Sequence, residues 1–330
     1  MLVLVAAASV SLGYMNRSNT RSASLTGSPD VGGKITYARA GSLWIYTAGG
    51  TQQITAGPKD AKDKRDAQPS FSPDGSHILY TRFDEGFSDL YEIALSDPSV
   101  PQALTNHRPK VETGAEGYNT QALWAMQGAW SPDGQALAFT SDVGTEYPAL
   151  FTMNADGTGG RRMETLNHGI QAVEHPAWSP NGDKIAVANY VTDNFKGQIW
   201  VLNLSTSKWI EITAAQDGAY DPAWSPDGAW IAFTMRQGNT NNIFVAPTDT
   251  QSWTDSHAPT KQLTTDGASR QPTWSPDGTK LAYISFKDAS FDLYAGDLKQ
   301  DTAGKPALQN IQKLTDKANL DAASGLSWSK

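Results

Sequence analysis

An all-β fold, a six-bladed β-propeller with four antiparallel strands per blade, follows from three observations on the sequence. One turn sequence recurs behind an aromatic-serine pair, short apolar strands follow each copy in a fixed order, and the fragments at the two ends complete one another. The copies are Phe71-Ser72-Pro73-Asp74-Gly75, Trp130-Ser131-Pro132-Asp133-Gly134, Trp178-Ser179-Pro180-Asn181-Gly182, Trp224-Ser225-Pro226-Asp227-Gly228, Trp274-Ser275-Pro276-Asp277-Gly278 and a clipped Trp328-Ser329. Their aromatic positions are 59, 48, 46, 50 and 54 residues apart. Self-similarity at such a period marks a repeat architecture built from one supersecondary unit.

The turn has a local explanation. Serine opens a type I turn, proline fixes φ at the next position, aspartate or asparagine tolerates the third, and glycine takes the positive φ that follows. The preceding Trp is expected between neighbouring blades. Because the same chemistry recurs in every copy, no catalytic role is assigned to Asp74, Asp133, Asp227 or Asp277. A second strand follows each turn, as in Ile78-Leu79-Tyr80-Thr81, Leu137-Ala138-Phe139-Thr140, Ile185-Ala186-Val187-Ala188, Ile231-Ala232-Phe233-Thr234 and Leu281-Ala282-Tyr283-Ile284. Four-residue apolar runs bounded by turn signals read as strands. The third strand carries an aliphatic-aromatic pair: Leu90-Tyr91, Leu150-Phe151, Ile199-Trp200, Ile243-Phe244 or Leu293-Tyr294. The fourth ends in an aliphatic-threonine pair: Leu104-Thr105, Ile212-Thr213, Leu263-Thr264 or Leu314-Thr315. Near Arg162 to Leu166 that last signal fails.

Ahead of the first turn, Ile35-Thr36-Tyr37, Leu43-Trp44 and Ile54-Thr55 read as second, third and fourth strands without a first. Leu326-Ser327-Trp328-Ser329 is a first strand with nothing after it. Joining them makes a sixth sheet and closes the ring, which removes the long unpaired edges of an open array.

Tandem Trp-Ser-Pro-Asp-Gly copies followed by Leu-Ala-Phe-Thr-like strands, over residues 34 to 330, resemble the propeller of TolB and its relatives among bacterial envelope proteins. The resemblance implies a non-catalytic docking platform for a protein or peptide partner. TolB also carries an N-terminal α/β domain, for which this sequence leaves no room, so a propeller alone is expected at 33–330. Residues 1–15 include the apolar run Leu2-Val3-Leu4-Val5-Ala6-Ala7-Ala8 and read as a signal-peptide h-region or a truncated membrane anchor. The Ser/Asn/Thr/Arg-rich residues 16–32 read as a flexible polar linker. Export to an extracytoplasmic space, periplasmic or cell-surface, is the expectation.

Composition narrows the function. A net charge of -8 and a pI near 5.1 argue against sequence-independent nucleic-acid binding, which needs clustered Lys and Arg. Membrane contact is expected only through the N-terminus. The absence of cysteine excludes disulfides, thiolate metal sites, a thiol nucleophile and a lipidated cysteine. No cofactor is expected, and the propeller should be monomeric.

The up-and-down path of the strands puts the Pro-Asp-Gly turns on one face of the disc and the second-to-third connections and blade-to-blade links on the other. Variable loops on a rigid scaffold are the natural carriers of binding. Counting back from each aromatic-serine pair picks out Gln68, Gln127, His175, Asp221, Gln271 and Ser324 as a ring at the channel mouth on that variable face. Glu174, Tyr220 and Arg270 stand one position further out. The ring is either a ligand site, with a few convergent polar groups in a concavity, or simply the polar lining of a water-filled channel. The longest link, Thr105 to Met126, offers Tyr118 and Trp124 as anchors for a peptide or sugar. The mixed-charge run Pro58 to Asp66 offers Arg65 and Asp66, against the plainer reading of a solvated loop.

No Gly-x-Ser-x-Gly elbow occurs, and five scattered histidines show no metal-ligand spacing. His175 with Glu174 and Asp221 could bind a metal or move a proton, but a single imidazole among amide neighbours is more often a hydrogen-bonding group. The leading function is therefore a protein- or peptide-binding propeller. The alternatives are a lyase or hydrolase acting on a polysaccharide or oligosaccharide through His175, Arg270 and Tyr220, and a tethered sensor or assembly domain.

Overall fold

A computed structural model describes residues 28–60, 64–163, 170–191, 196–253 and 256–330. The expected h-region or anchor, most of the linker, Lys62, Asp63 and His168 lie outside the described residues. Those described form six four-stranded antiparallel sheets. Blade 1 comprises Arg65–Phe71, His77–Asp84, Phe87–Ala94 and Gln102–Ala103. Blade 2 comprises Ala125–Trp130, Ala136–Ser141, Ala149–Asn154 and Arg161–Arg162. Blade 3 comprises Ile170–Trp178, Lys184–Val191, Gly197–Asn203 and Lys208–Glu211. Blade 4 comprises Ala219–Trp224, Trp230–Gln237, Thr240–Pro247 and Lys261–Gln262. Blade 5 comprises Ser269–Trp274, Lys280–Lys287, Ser290–Gln300 and Pro306–Lys313. In blade 6, Leu326–Ser329 pairs with Lys34–Arg39, followed by Ser42–Thr47 and Gly50–Gln53.

Trp328 sits opposite Ile35, so the last blade is clasped between early and late segments of the chain. The innermost strands neighbour one another all the way round. Apolar residues gather in six clusters, each lying on the seam between two adjacent blades. Burial of each large apolar side chain there contributes roughly 1.5–3 kcal/mol relative to exposure.

The repeated turn forms as its residues dictate. The Gly75, Gly134, Gly182, Gly228 and Gly278 amides donate to the serine carbonyl three residues back at 2.8–2.9 Å. In blade 1 the Ser72 hydroxyl donates to Asp74 at 2.6 Å and accepts from the His77 amide at 2.9 Å. The bond from Ser72 holds the Asp74 carboxyl well below the usual carboxylate range. Where the third copy has Asn181 in place of aspartate, Ser179 turns to Asp183 instead, at 2.9 Å. Gly228 is needed for its φ of 72° and for space, because a Cβ there would come within 3.2 Å of Pro180 in the preceding blade's turn. Two of the tryptophans tie blades directly: Trp224 and Trp274 donate through Nε1 to Ala177 and Ala223 of the blade before, at 3.1 and 3.0 Å.

The aliphatic-threonine pair has a structural purpose. Thr55, Thr105, Thr213, Thr264 and Thr315 accept through Oγ1 from the third-strand amides of Leu43, Leu90, Ile199, Ile243 and Leu293, at 2.9–3.0 Å. Each thus satisfies a donor that the short outer strand leaves uncovered. Thr105, Thr213, Thr264 and Thr315 donate onward to Asp89, Gln198, Asn242 and Asp292, whose side-chain oxygens accept amides from the start of the next link. Near Arg162, where the threonine signal is missing, the outer strand still forms, as two exposed residues paired to Phe151 and Thr152. Met163 takes the aliphatic place there, its amide donating to the Leu150 carbonyl at 2.8 Å as the Leu104 amide does to Leu90, and position 164, where the threonine would stand, lies outside the described residues.

Two short helical segments depart from the all-strand expectation: Tyr118–Gln121 in the longest link and a 3-10 turn at Thr250–Ser252. Among the described residues no helix is long and apolar enough to cross a membrane.

Thr315→Val keeps the shape but strands the Leu293 amide and removes one of the two donors to Oδ1 of the fully buried Asp292. It should cost about 2–3 kcal/mol, read as a fall in the urea midpoint at unchanged slope. Burial works to raise the Asp89 carboxyl, but hydrogen bonds from His107 and Thr105 outweigh it and hold the pKa below its usual value. A depressed folded-state pKa stabilises fully above the unfolded value of about 3.9 and is lost as pH falls through the folded one. Asp89→Asn should therefore lower stability at neutral pH and flatten the acid limb of a stability-pH curve below about pH 4.

Candidate functional site

Each innermost strand of blades 1 to 5 contains a β-bulge, at Ala67/Ser70, Met126/Ala129, Glu174/Ala177, Tyr220/Ala223 and Arg270/Thr273. At every bulge the counted ring residue adopts the left-handed conformation: Gln68 (φ 55°), Gln127 (57°), His175 (51°), Asp221 (57°) and Gln271 (57°). In blade 6 the positive φ falls one residue later, at Gly325 (78°). Non-glycine residues in that region cost about 1–2 kcal/mol each, so something must hold them there.

Neighbouring blades do so. The Ser324 hydroxyl accepts the Gln68 amide at 2.6 Å, Gln68 Oε1 accepts the Gln127 amide at 3.1 Å, and Gln127 Oε1 accepts the His175 amide at 2.9 Å. Further round, Gln271 Nε2 donates to Asp221 Oδ1 at 2.9 Å. The Gln271 side-chain Oε1 faces Gly325, 3.4 Å from where a Cβ would stand. Second-strand threonines brace the same positions: Thr81 and Thr234 accept the Gln127 and Gln271 amides at 3.1 Å, while Thr140 and Thr234 donate to Gln127 Oε1 and Asp221 Oδ2. These threonines were visible in the Leu-Ala-Phe-Thr-like strands, but nothing in the sequence announced their task. The ring residues, with the prolines and aromatics behind them, line a central space of about 380 Å³ walled by all six innermost strands.

The ring also orients its imidazole. Gln127 Oε1 is occupied by the His175 amide and the Thr140 hydroxyl, so the Gln127 amide nitrogen is the group that faces His175 Nε2, at 3.4 Å. Nε2 then accepts, and the proton of the neutral ring sits on Nδ1. That atom is buried without a hydrogen-bond partner, 3.6 Å from Asp221 and 4.0 Å from Glu174. Among the described residues no group of three or more His, Cys, Asp or Glu is arranged to hold a metal.

One position further out, the blades differ. Ala67, Met126 and Ala323 stand there in blades 1, 2 and 6, and Glu174, Tyr220 and Arg270 in blades 3, 4 and 5. Glu174 accepts the Tyr190 hydroxyl at 2.8 Å, and the Tyr190 and Tyr220 rings lie 5.9 Å apart. Burial, and next the Glu174 charge, push the Tyr190 phenol well above its ordinary value. Arg270 lies over the Phe291 ring at 5.5 Å.

The loop candidates sit elsewhere. Arg65 is exposed at the start of blade 1, whereas Asp66 is buried and clamped by Arg82 through two bonds of 2.7 and 3.0 Å. Tyr118 is only 8 % exposed and donates its hydroxyl to the Glu85 carbonyl, so it pins the long link to blade 1's own hairpin and does not stand out as an anchor for a ligand. Trp124 packs on Phe83 at 6.1 Å, and its amide donates to Asp142 at 2.7 Å. Sequence reasoning missed a cavity of about 580 Å³ at the rim of blade 1, lined by Lys64, Arg82, Asp84, Phe87, Asp89 and Arg108 among others. Most of its charges are already matched, Lys64 by Asp84 and Arg82 by Asp66.

A closed ring of six four-stranded blades with a polar channel mouth defines the class as a six-bladed β-propeller. Residues 150–323, just over half of the chain, match the family model of the TolB β-propeller domain, and the chain belongs to that family. It is 27 % identical over 209 residues to "Uncharacterized peptidase YuxL" of Bacillus subtilis, a match covering 53 % of this chain and 30 % of that one. It is 26 % identical over 171 residues to "Protein TolB homolog" of Chlorobium luteolum, covering 52 % and 34 %. The chain thus spans about a third of the length of these curated relatives. The crystal structure of TolB from Acinetobacter baumannii superposes with a TM-score of 0.66 at 20 % identity, over 92 % of this chain and 68 % of that one. At that identity it shows the fold alone.

Gln127→Ala and Gln127→Gly both remove the acceptor of the His175 amide, but only alanine keeps the left-handed strain. The alanine variant should lose about 2–3 kcal/mol, and the glycine variant about 1 kcal/mol less, measured by urea denaturation. Equal losses would show that the bulge is not strained.

Proposed function

We propose that this propeller is an extracytoplasmic binding module that holds a protein or peptide segment across the variable face at the channel mouth. The observation that carries the reading is the asymmetry of the row outside the ring. Blades 3 to 5 carry Glu174, Tyr220 and Arg270 as a continuous charged and aromatic sector, while blades 6 and 2 carry Ala323 and Met126 and blade 1 has the buried Ala67. A mouth divided in this way suits an extended segment that carries charged and aromatic groups on one side and apolar groups on the other. The ring beneath is tied up in blade-to-blade bonds, so it serves as a rigid floor, and recognition falls to the row above it. The TolB homologue among the relatives supports an envelope setting.

The peptidase relative supports a second reading, in which the same mouth admits a peptide on its way to a catalytic partner. Both readings require peptide binding at this face. Panning a phage-displayed library of random peptides against the chain should enrich a consensus on the wild type. A folded variant carrying Glu174→Gln and Tyr220→Ala should bind those peptides at least about tenfold more weakly. No enrichment over a blank surface, or equal binding by the variant, would contradict the proposal.

A further inference from the structure

The charged groups of the channel mouth fall into two kinds. Asp66 is clamped by Arg82, Asp221 accepts from Gln271 and Thr234, and Glu174 accepts from Tyr190. Each carboxylate is thus answered from within the fold. Arg270 is different: among the described residues it makes no hydrogen bond or ion pair, and its Nε is buried without an acceptor. A half-buried guanidinium has five donors and no acceptor capacity, so leaving them unanswered away from water is costly. Its guanidinium carbon lies over the Phe291 ring, 5.5 Å from the centroid, a contact that leaves its N–H donors unused.

The surroundings give that cation an apolar shoulder. Phe291 packs on Phe286 at 4.9 Å, and Phe286 is 46 % exposed, one of the few large apolar side chains left in solvent. Both belong to the hairpin joining Lys280–Lys287 to Ser290–Gln300, which rises on the variable face beside the mouth. The neighbouring cation, Lys287, is already matched by Asp266 at 3.0 Å, and Asp266 is further satisfied by Ser269 and Ser285. No carboxylate of the hairpin is paired with Arg270.

Resting on the peptide-binding reading, we propose that Arg270 is the specificity-determining residue of this mouth: it takes the side-chain carboxylate of an Asp or Glu in the bound segment, with an adjacent apolar residue seated on Phe286. A planar guanidinium held on an aromatic face presents its fork for bidentate carboxylate recognition, which a lysine cannot reproduce. Glu174 on blade 3 and Asp221 on blade 4 would repel an acid placed elsewhere in the charged sector, so the carboxylate has one favourable position and the segment one direction.

The test uses synthetic peptides from the panned consensus, each paired with a copy in which the acid is replaced by its amide, and fluorescence anisotropy with the whole chain. The acidic peptide should bind the wild type at least about tenfold more tightly than its amide copy. Arg270→Gln should abolish that difference, and Arg270→Lys should restore only part of it. Phe286→Ala should weaken both peptides of a pair alike. Thermal unfolding of each variant checks that the propeller is intact, and Arg270→Lys keeps the test open if Arg270→Gln fails to fold. Peptides that bind without an acid, or an acid preference that survives Arg270→Gln, would overturn the assignment and leave the peptide-binding reading standing. Failure of any peptide to bind would overturn both.

Discussion

Six strands can converge on one axis only if each changes direction where it enters the channel, and here the change is made by a left-handed residue inside a β-bulge. The rest of the molecule depends on that constraint. A left-handed glutamine, histidine or aspartate is unfavourable by itself, and the proline that follows Gln68, His175, Asp221 and Gln271 favours extended backbone before it. The conformation persists because the bulged amide is turned toward the preceding blade. There a side-chain oxygen accepts it, from Ser324, Gln68 or Gln127 in one half of the ring and, for the Gln271 amide of blade 5, from Thr234 of blade 4. Strain inside one blade is therefore offset by a bond to its neighbour, and the blades are coupled at the axis as well as along their apolar seams.

That coupling separates support from recognition. Residues that answer one another around the ring have little freedom to turn toward a ligand. The row above varies from blade to blade, which is what a binding surface on a repeat scaffold requires. The same division accounts for the two kinds of charge at the mouth. Carboxylates that serve the scaffold have partners inside it, whereas Arg270, at the edge of the variable face, has none among the described residues.

The fold was legible in the sequence because its signals are local. Ser-Pro-Asp-Gly specifies its own turn, and the clipped copy at Trp328 shows where the ring shuts. The threonine of the outer strand was legible as a pattern but not as a cap, since its partner is an amide 12 to 22 residues away. Ring positions could be found by counting back from each aromatic, yet their left-handed backbone could not, because the stabilising acceptor comes from another blade. Tyr118 and Trp124 looked like exposed anchors in a long polar link. The structure turns Tyr118 inward onto Glu85 and packs Trp124 on Phe83, contacts that depend on how the link crosses blade 1. Arg270 was picked out by its place in the row, and only the three-dimensional arrangement reveals that none of the described residues answers it.

Native-state hydrogen exchange of the bulged amides tests the coupling most directly. If the ring holds the blades together, the Gln68, Gln127, His175 and Gln271 amides open only with the whole domain, and their exchange free energies match that of global unfolding and rise or fall with it in urea. Exchange of these amides at the low free energies of the surface loops, with the apolar seams still protected, would contradict the account. The bulges would then be local irregularities, and the blades would be joined by their seams alone.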